Sequence, residues 1–152
     1  MKKLTMSNYK LLFSLPLIIL GFVLIFMGTS WMLSNEPWML DKFANEQRLN
    51  MKFEKLFEAE INSSLPGYLK QIYRFFGLWV FSLGVFIVGF SRLTFKYDKN
   101  LNSTLLVSTG ILIYLGMIMA YSLIPSSPFI YLGWLAIILH LTSLYAYTKY
   151  IK

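Results

Sequence analysis

His140, Arg74, Tyr114 and Tyr121 are the residues whose types and placement could do chemistry in this chain. His140 is the one histidine among 152 residues and lies near the middle of the last uncharged run. An ionisable group inside an apolar segment marks a ligand site, a proton relay or a hydrogen bond to a neighbouring helix. Ser82 and Tyr114 are expected at a similar depth on other segments, and either hydroxyl can satisfy the imidazole. Arg74 stands in Tyr73-Arg74-Phe75-Phe76-Gly77-Leu78-Trp79. Its long side chain can snorkel to headgroups, pair with an acid such as Glu58 or Glu60, or hold an anionic or polar ligand. Tyr121 is expected at the depth of Arg74, and it shares a helix face with Tyr114 seven residues earlier. Together, Arg74, Tyr114, Tyr121 and His140 make a candidate site for a quinone, lipid or small metabolite. Trp79 and Trp134 are read as packing or lipid-facing residues.

These residues do not add up to a catalytic set. No Asp or Glu falls in any expected span, so a Ser-His-acid arrangement lacks its acid and a carboxylate metal site lacks its ligands. The chain has no cysteine, which removes disulfides, thiol redox chemistry and Cys-ligated metals. A lone histidine cannot supply both axial ligands of a haem, and no Gly-rich phosphate loop is present. The expectation is a protein that is not an enzyme, with no cofactor and no metal.

The elements that must position these residues are membrane helices. Hydrophobic residues make up 57% and charged residues 14%, against roughly 25% charged in a soluble domain. Four runs reach the ~20 apolar residues that a crossing needs. They are expected at about residues 11–33, 69–91, 104–123 and 129–148, within a single membrane domain covering 1–152. Pro16 lies in the early turns of the first run, where it kinks the helix or marks its start. Ile124-Pro125-Ser126-Ser127-Pro128 breaks the last long run into a helical hairpin. The first run is longer than a signal-peptide core and lacks a clean small-x-small exit, so it is read as an uncleaved span. The fold class is therefore all-α: a polytopic membrane protein with an antiparallel four-helix bundle.

The outer loop, about residues 34–68, holds the rest. Within it, Phe53, Leu56, Phe57 and Ile61 recur at helical spacing opposite Lys and Glu, which predicts an amphipathic helix over 50–61 with Asn50 as its N-cap. That helix covers the span ends, closes a pocket or docks a partner. Trp31, Trp38 and Tyr68 flank the loop at the depth of an aromatic belt, and Pro66-Gly67 is read as ending it. Asn62-Ser63-Ser64 and Asn102-Ser103-Thr104 match the glycosylation pattern, which is too short to carry an argument.

Small residues recur every seven positions on two spans: Ser14, Gly21 and Gly28 on the first, Gly77, Gly84 and Ser91 on the second. In antiparallel helices Ser14 comes level with Ser91, Gly21 with Gly84 and Gly28 with Gly77. That predicts a close seam between the two spans.

The net charge of +7 has a location. Lys2, Lys3, Lys10, Arg92, Lys96, Lys99, Lys149 and Lys152 face a single acid, Asp98, on the segments that share a side. The outer loop and the entry of the second span balance Lys42, Arg48, Lys52, Lys55, Lys70 and Arg74 against Glu36, Asp41, Glu46, Glu54, Glu58 and Glu60. The bias of Lys and Arg predicts both termini in the cytoplasm, with anionic lipid headgroups as the simplest partner there. The basic residues are scattered over short loops, which excludes a nucleic-acid surface.

Leu65-Pro66-Gly67-Tyr68 through Gly84 has a recognisable cast, as does the order of one span, a long outer loop, an Arg-aromatic-Gly entry and three close-set spans. In this the chain resembles the small bacterial DoxX-like four-span membrane proteins. The resemblance implies a multi-pass protein of a bacterial inner membrane, in a family where some members are named for a role beside quinone-linked oxidation of sulfur compounds. It implies no catalytic residue; Arg74 is the position that matches a family motif. The long amphipathic loop departs from the shorter members. The functional expectation is a non-enzymatic scaffold or accessory subunit, with a membrane protein partner or a second copy of the chain. The alternative is ligand binding or transport in the outer half of the bundle.

Overall fold

The computed structural model describes residues 6–93 and 99–150. Lys2, Lys3, Lys96, Asp98 and Lys152, which carry part of the charge asymmetry, lie outside the described residues. Among the described residues every regular element is helical. Four helices are long and apolar enough to cross a membrane: α1 (Met6–Leu33), α4 (Leu65–Leu93), α5 (Lys99–Leu123) and α6 (Phe129–Tyr150). In hydrocarbon the backbone must satisfy its own hydrogen bonds, and a helix does so within one segment.

Three of the four spans begin earlier than the hydropathy limits, while α6 begins at Phe129 as expected. α5 starts at Lys99 rather than near residue 104, and α4 at Leu65 rather than near residue 69. Pro66 and Gly67 do not end the loop; they lie in the first turn of α4. Proline is tolerated there because its missing N–H has no intrahelical partner to lose. Pro16 is internal to α1, so the carbonyl of Leu12 lacks its usual donor.

α1 is the central helix. It packs along α4 on one side and along α6 on the other, and α6 packs along α5, while α4 and α5 barely meet. The core is a cluster of Phe13, Leu17, Ile87, Leu105, Leu106 and Ala146, drawn from all four spans. A second cluster, Leu20, Ile113 and Ala136, joins α1, α5 and α6 alone. A groove opens between the last turns of α4 and the first turns of α5, lined by Leu83, Phe86, Phe90, Leu101, Thr104 and Ser108.

The loop folds into a cap over the other end. It contains a 3-10 turn (Pro37–Asp41), α2 (Lys42–Leu49), α3 (Phe53–Glu58) and a second 3-10 turn (Glu60–Asn62). The single helix expected over 50–61 is not formed. Asn50 adopts a left-handed conformation (φ 51°) and closes the C-terminus of α2, a role asparagine fills as readily as an N-cap. The N-terminus of α3 is satisfied instead by Glu46, whose Oε1 accepts from the Phe53 N–H at 3.0 Å. Ala59 is extended and stops α3, which leaves Ile61 exposed at 91% rather than on a buried face.

The aromatic belt also needs correction. Trp31 and Trp38 are buried, and only Tyr68 is exposed. Trp31 packs against Phe76 and Phe129 at ring centroid distances of 5.0 and 5.2 Å. Trp38 packs against Phe53 and Phe57 beneath the cap.

Candidate functional site

His140 and Tyr114 meet across the α5–α6 interface. The Tyr114 hydroxyl lies 3.0 Å from His140 Nδ1, and Nε2 lies 3.0 Å from the carbonyl oxygen of Leu106. A carbonyl can only accept, so Nε2 carries the proton; in the neutral ring Nδ1 then accepts from Tyr114. Gly110 makes room for the imidazole: a Cβ there would stand 3.0 Å from His140 Cε1 and Nε2. One step toward the cap, Met117 fills the notch left by Gly133. Beyond it, Trp134 Nε1–H donates to the Tyr121 hydroxyl at 3.0 Å. The α5–α6 pair is thus held by alternating notches and polar rungs. Ser82 plays no part in them, because its hydroxyl donates to the Leu78 carbonyl of its own helix at 2.8 Å.

The four candidate ligand residues divide into three places. Tyr114 and His140 line a shallow apolar groove of about 570 Å³ on the α5–α6 surface, which Tyr121 and Arg74 do not line. Tyr121 is exposed beside Trp134. Arg74 is exposed on α4, and neither Glu58 nor Glu60 pairs with it; the cap's ion pairs run from Lys42 to Glu46 and Glu54 at 3.5 and 2.7 Å. No group of three or more His, Asp or Glu among the described residues could hold a metal ion. With no acid beside His140 and both ring nitrogens engaged, the pair can fix helix register.

The small-residue seam is a close backbone contact. A Cβ on Gly84 would lie 2.6 Å from the Gly21 carbonyl oxygen, and one on Gly77 would lie 2.7 Å from that of Gly28. Ser14 and Ser91 are both buried at the far end of the same seam. The opposite face of α4 is largely uncovered by the described residues, and its last turns, with Phe86 and Phe90, border a groove shared with α5. Tyr68, Ile72, Phe75, Trp79, Phe86 and Phe90 are all exposed there, at helical spacing along the whole length of the helix. α4 is the least enclosed span: 17% of its most apolar stretch is buried, against 39% for α1.

Asp41 is a buried acid that the sequence did not reveal. It ends the first 3-10 turn, is only 7% exposed, and its Oδ2 accepts from the Ser127 hydroxyl at 2.8 Å. Ser127 belongs to the α5–α6 turn, so this bond ties the cap to the opposite hairpin. Burial pushes the Asp41 carboxyl above the ordinary carboxylate range, and the Ser127 bond offsets part of that rise. The one local signal is an acid directly after Trp38-Met39-Leu40; its partner lies 86 residues away.

No protein-family model, curated protein or solved structure matches this chain.

Proposed function

We propose that this is a non-catalytic multi-pass membrane protein, a scaffold or accessory subunit that works through the free face of α4. The observation that carries the reading is the exposed aromatic stripe from Tyr68 to Phe90, set opposite the glycine seam. Helices associate in lipid by packing rather than by the hydrophobic effect. A span with one face committed to α1 and the other rich in large rigid side chains is suited to a second helix from another subunit. The DoxX-like order of parts supports an accessory role. The charge asymmetry supports a bacterial inner-membrane location with both termini in the cytoplasm and anionic headgroups around them. The ligand-site alternative has less support, because Arg74, Tyr114, Tyr121 and His140 do not share a cavity.

Benzoylphenylalanine placed at Phe75 or Trp79 and irradiated in native membranes tests the reading. A discrete protein adduct from these positions, absent when the probe replaces Tyr145 on α6, is the expected result. Lipid adducts alone at both α4 positions would refute it.

A further inference from the structure

Asp41 is a buried carboxylate without a cation. Among the described residues, no element packed against its turn pairs a cation with it. On α2, Lys42 follows it in sequence but is drawn away to Glu46 and Glu54. On α4 the Tyr73 hydroxyl oxygen accepts from Asn45 Nδ2 at 3.1 Å, Lys70 reaches toward Asn35 and Arg74 is exposed, as is Glu36 just before the turn. The last turns of α1 and the turn 124–128 contain no titratable side chain. Asp41 therefore has one hydrogen-bond donor, Ser127, on Oδ2, while Oδ1 is buried with no partner. A neutral carboxyl leaves one polar group unspent in this setting. An anion leaves a full charge out of water with a single hydrogen bond, which is far more costly.

The bond also sits where it can act. It is the cap's buried hydrogen bond to the α5–α6 turn, and Ser127 Oγ in addition accepts from the Phe129 N–H at 3.2 Å at the start of α6. Phe129 packs on Trp31, whose indole N–H is likewise buried and without an acceptor. The cap, the end of α1 and the start of α6 thus meet at one under-satisfied polar junction.

We propose that Asp41 is a proton-binding site and that Asp41 and Ser127 form a proton-dependent clasp, which holds the cap on the α5–α6 turn when Asp41 is protonated and loosens when it ionises. The inference rests on the cap geometry and is independent of the accessory role proposed above. The sign follows from linkage. The closed state binds the proton more tightly than the open one, so closure is complete at pH below the ordinary carboxylate value. It weakens as pH rises through the higher value of the closed state.

The chain has no cysteine, so single cysteines can report opening. Ala44→Cys places a thiol under the cap, and Ile61→Cys places one in the open as a reference for the reagent's own pH dependence. The ratio of maleimide labelling, Ala44→Cys over Ile61→Cys, is expected to rise with pH. The rise is at most about tenfold for each unit by which the closed-state value exceeds that of an exposed carboxylate. In an Asp41→Asn background the ratio stays level. Hydrogen exchange of cap peptides, taken as wild type relative to Asp41→Asn at each pH, reads the same opening without a new side chain under the cap. A wild-type ratio that is flat with pH overturns the clasp, and so does a rise that persists undiminished in Asp41→Asn.

Discussion

The hydroxyl of Tyr114 and Nδ1 of His140 lie 3.0 Å apart, bridging α5 and α6. His140 is the only histidine, so its ring nitrogens can be read by nitrogen NMR without assignment. The spectrum should show Nε2 protonated and Nδ1 accepting. Tyr114→Phe should shift the Nδ1 signal and leave Nε2 near its wild-type position, since Leu106 is untouched. The loss of stability should be about 0.6 kcal/mol, the average for an interhelical hydrogen bond in lipid. An Nδ1 signal unmoved by Tyr114→Phe would show that the bond is not formed.

The glycine positions separate by what surrounds them. Gly84→Ala and Gly77→Ala drive a methyl into the opposing backbone, and overpacking of this kind costs about 1–3 kcal/mol. Gly89→Ala and Gly116→Ala meet open space and should be neutral or stabilising by up to ~1 kcal/mol, from helix propensity. Gly133→Ala meets only the flexible Met117 side chain and should fall between the two groups. Thermal midpoints in one detergent give the order; equal midpoints for Gly84→Ala and Gly89→Ala would remove the seam.

Asp41→Asn keeps an acceptor for Ser127 and removes the buried charge. It should match or exceed wild-type stability at neutral pH. Because the folded-state value of Asp41 is raised, wild type gains on the variant as pH falls through that value, and the gap closes below the ordinary carboxylate range. Ser127→Ala strips the carboxylate of its donor and should cost about 1–3 kcal/mol, less in an Asp41→Asn background. Denaturation of the four proteins across pH checks both statements; a gap that widens in acid would reverse the sign.

Four crossings place the two ends of the chain on one membrane face. A reporter fused after Lys152 should be active in the cytoplasm, and one inserted at Ile61 on the far side. The reverse pattern would overturn the orientation read from Lys and Arg.

Much of the fold was legible because bilayer thickness fixes helix length and antiparallel packing fixes level. Those two constraints are enough to bring Gly21 to Gly84 and Tyr114 to the depth of His140 from spacing alone. The cap was less legible. Asparagine suits either end of a helix, and Asn50 took the left-handed one; Phe53 and Phe57 kept their helical period, yet Ala59 cut the helix before Ile61. Arg74 carried a plausible motif, but neither Glu58 at the end of α3 nor Glu60 past the break at Ala59 pairs with it. Asp41 showed only as an acid after an apolar triplet, because its burial depends on Ser127, a turn residue 86 positions away that no local pattern connects to it.

The central place of α1 has a consequence for biogenesis. Its first partner, α4, is the next span to be synthesised, so one hairpin can assemble while the rest of the chain is still on the ribosome. Its second partner, α6, is the last. Until α6 arrives, the cluster of Phe13 and Leu17 lacks Ala146, and the Phe13 carbonyl lacks the Ser143 hydroxyl that meets it at 2.8 Å. Among these four spans, the α5–α6 hairpin thus docks onto a helix made well before it, and a Ser143→Ala variant would leave the Phe13 carbonyl without that donor.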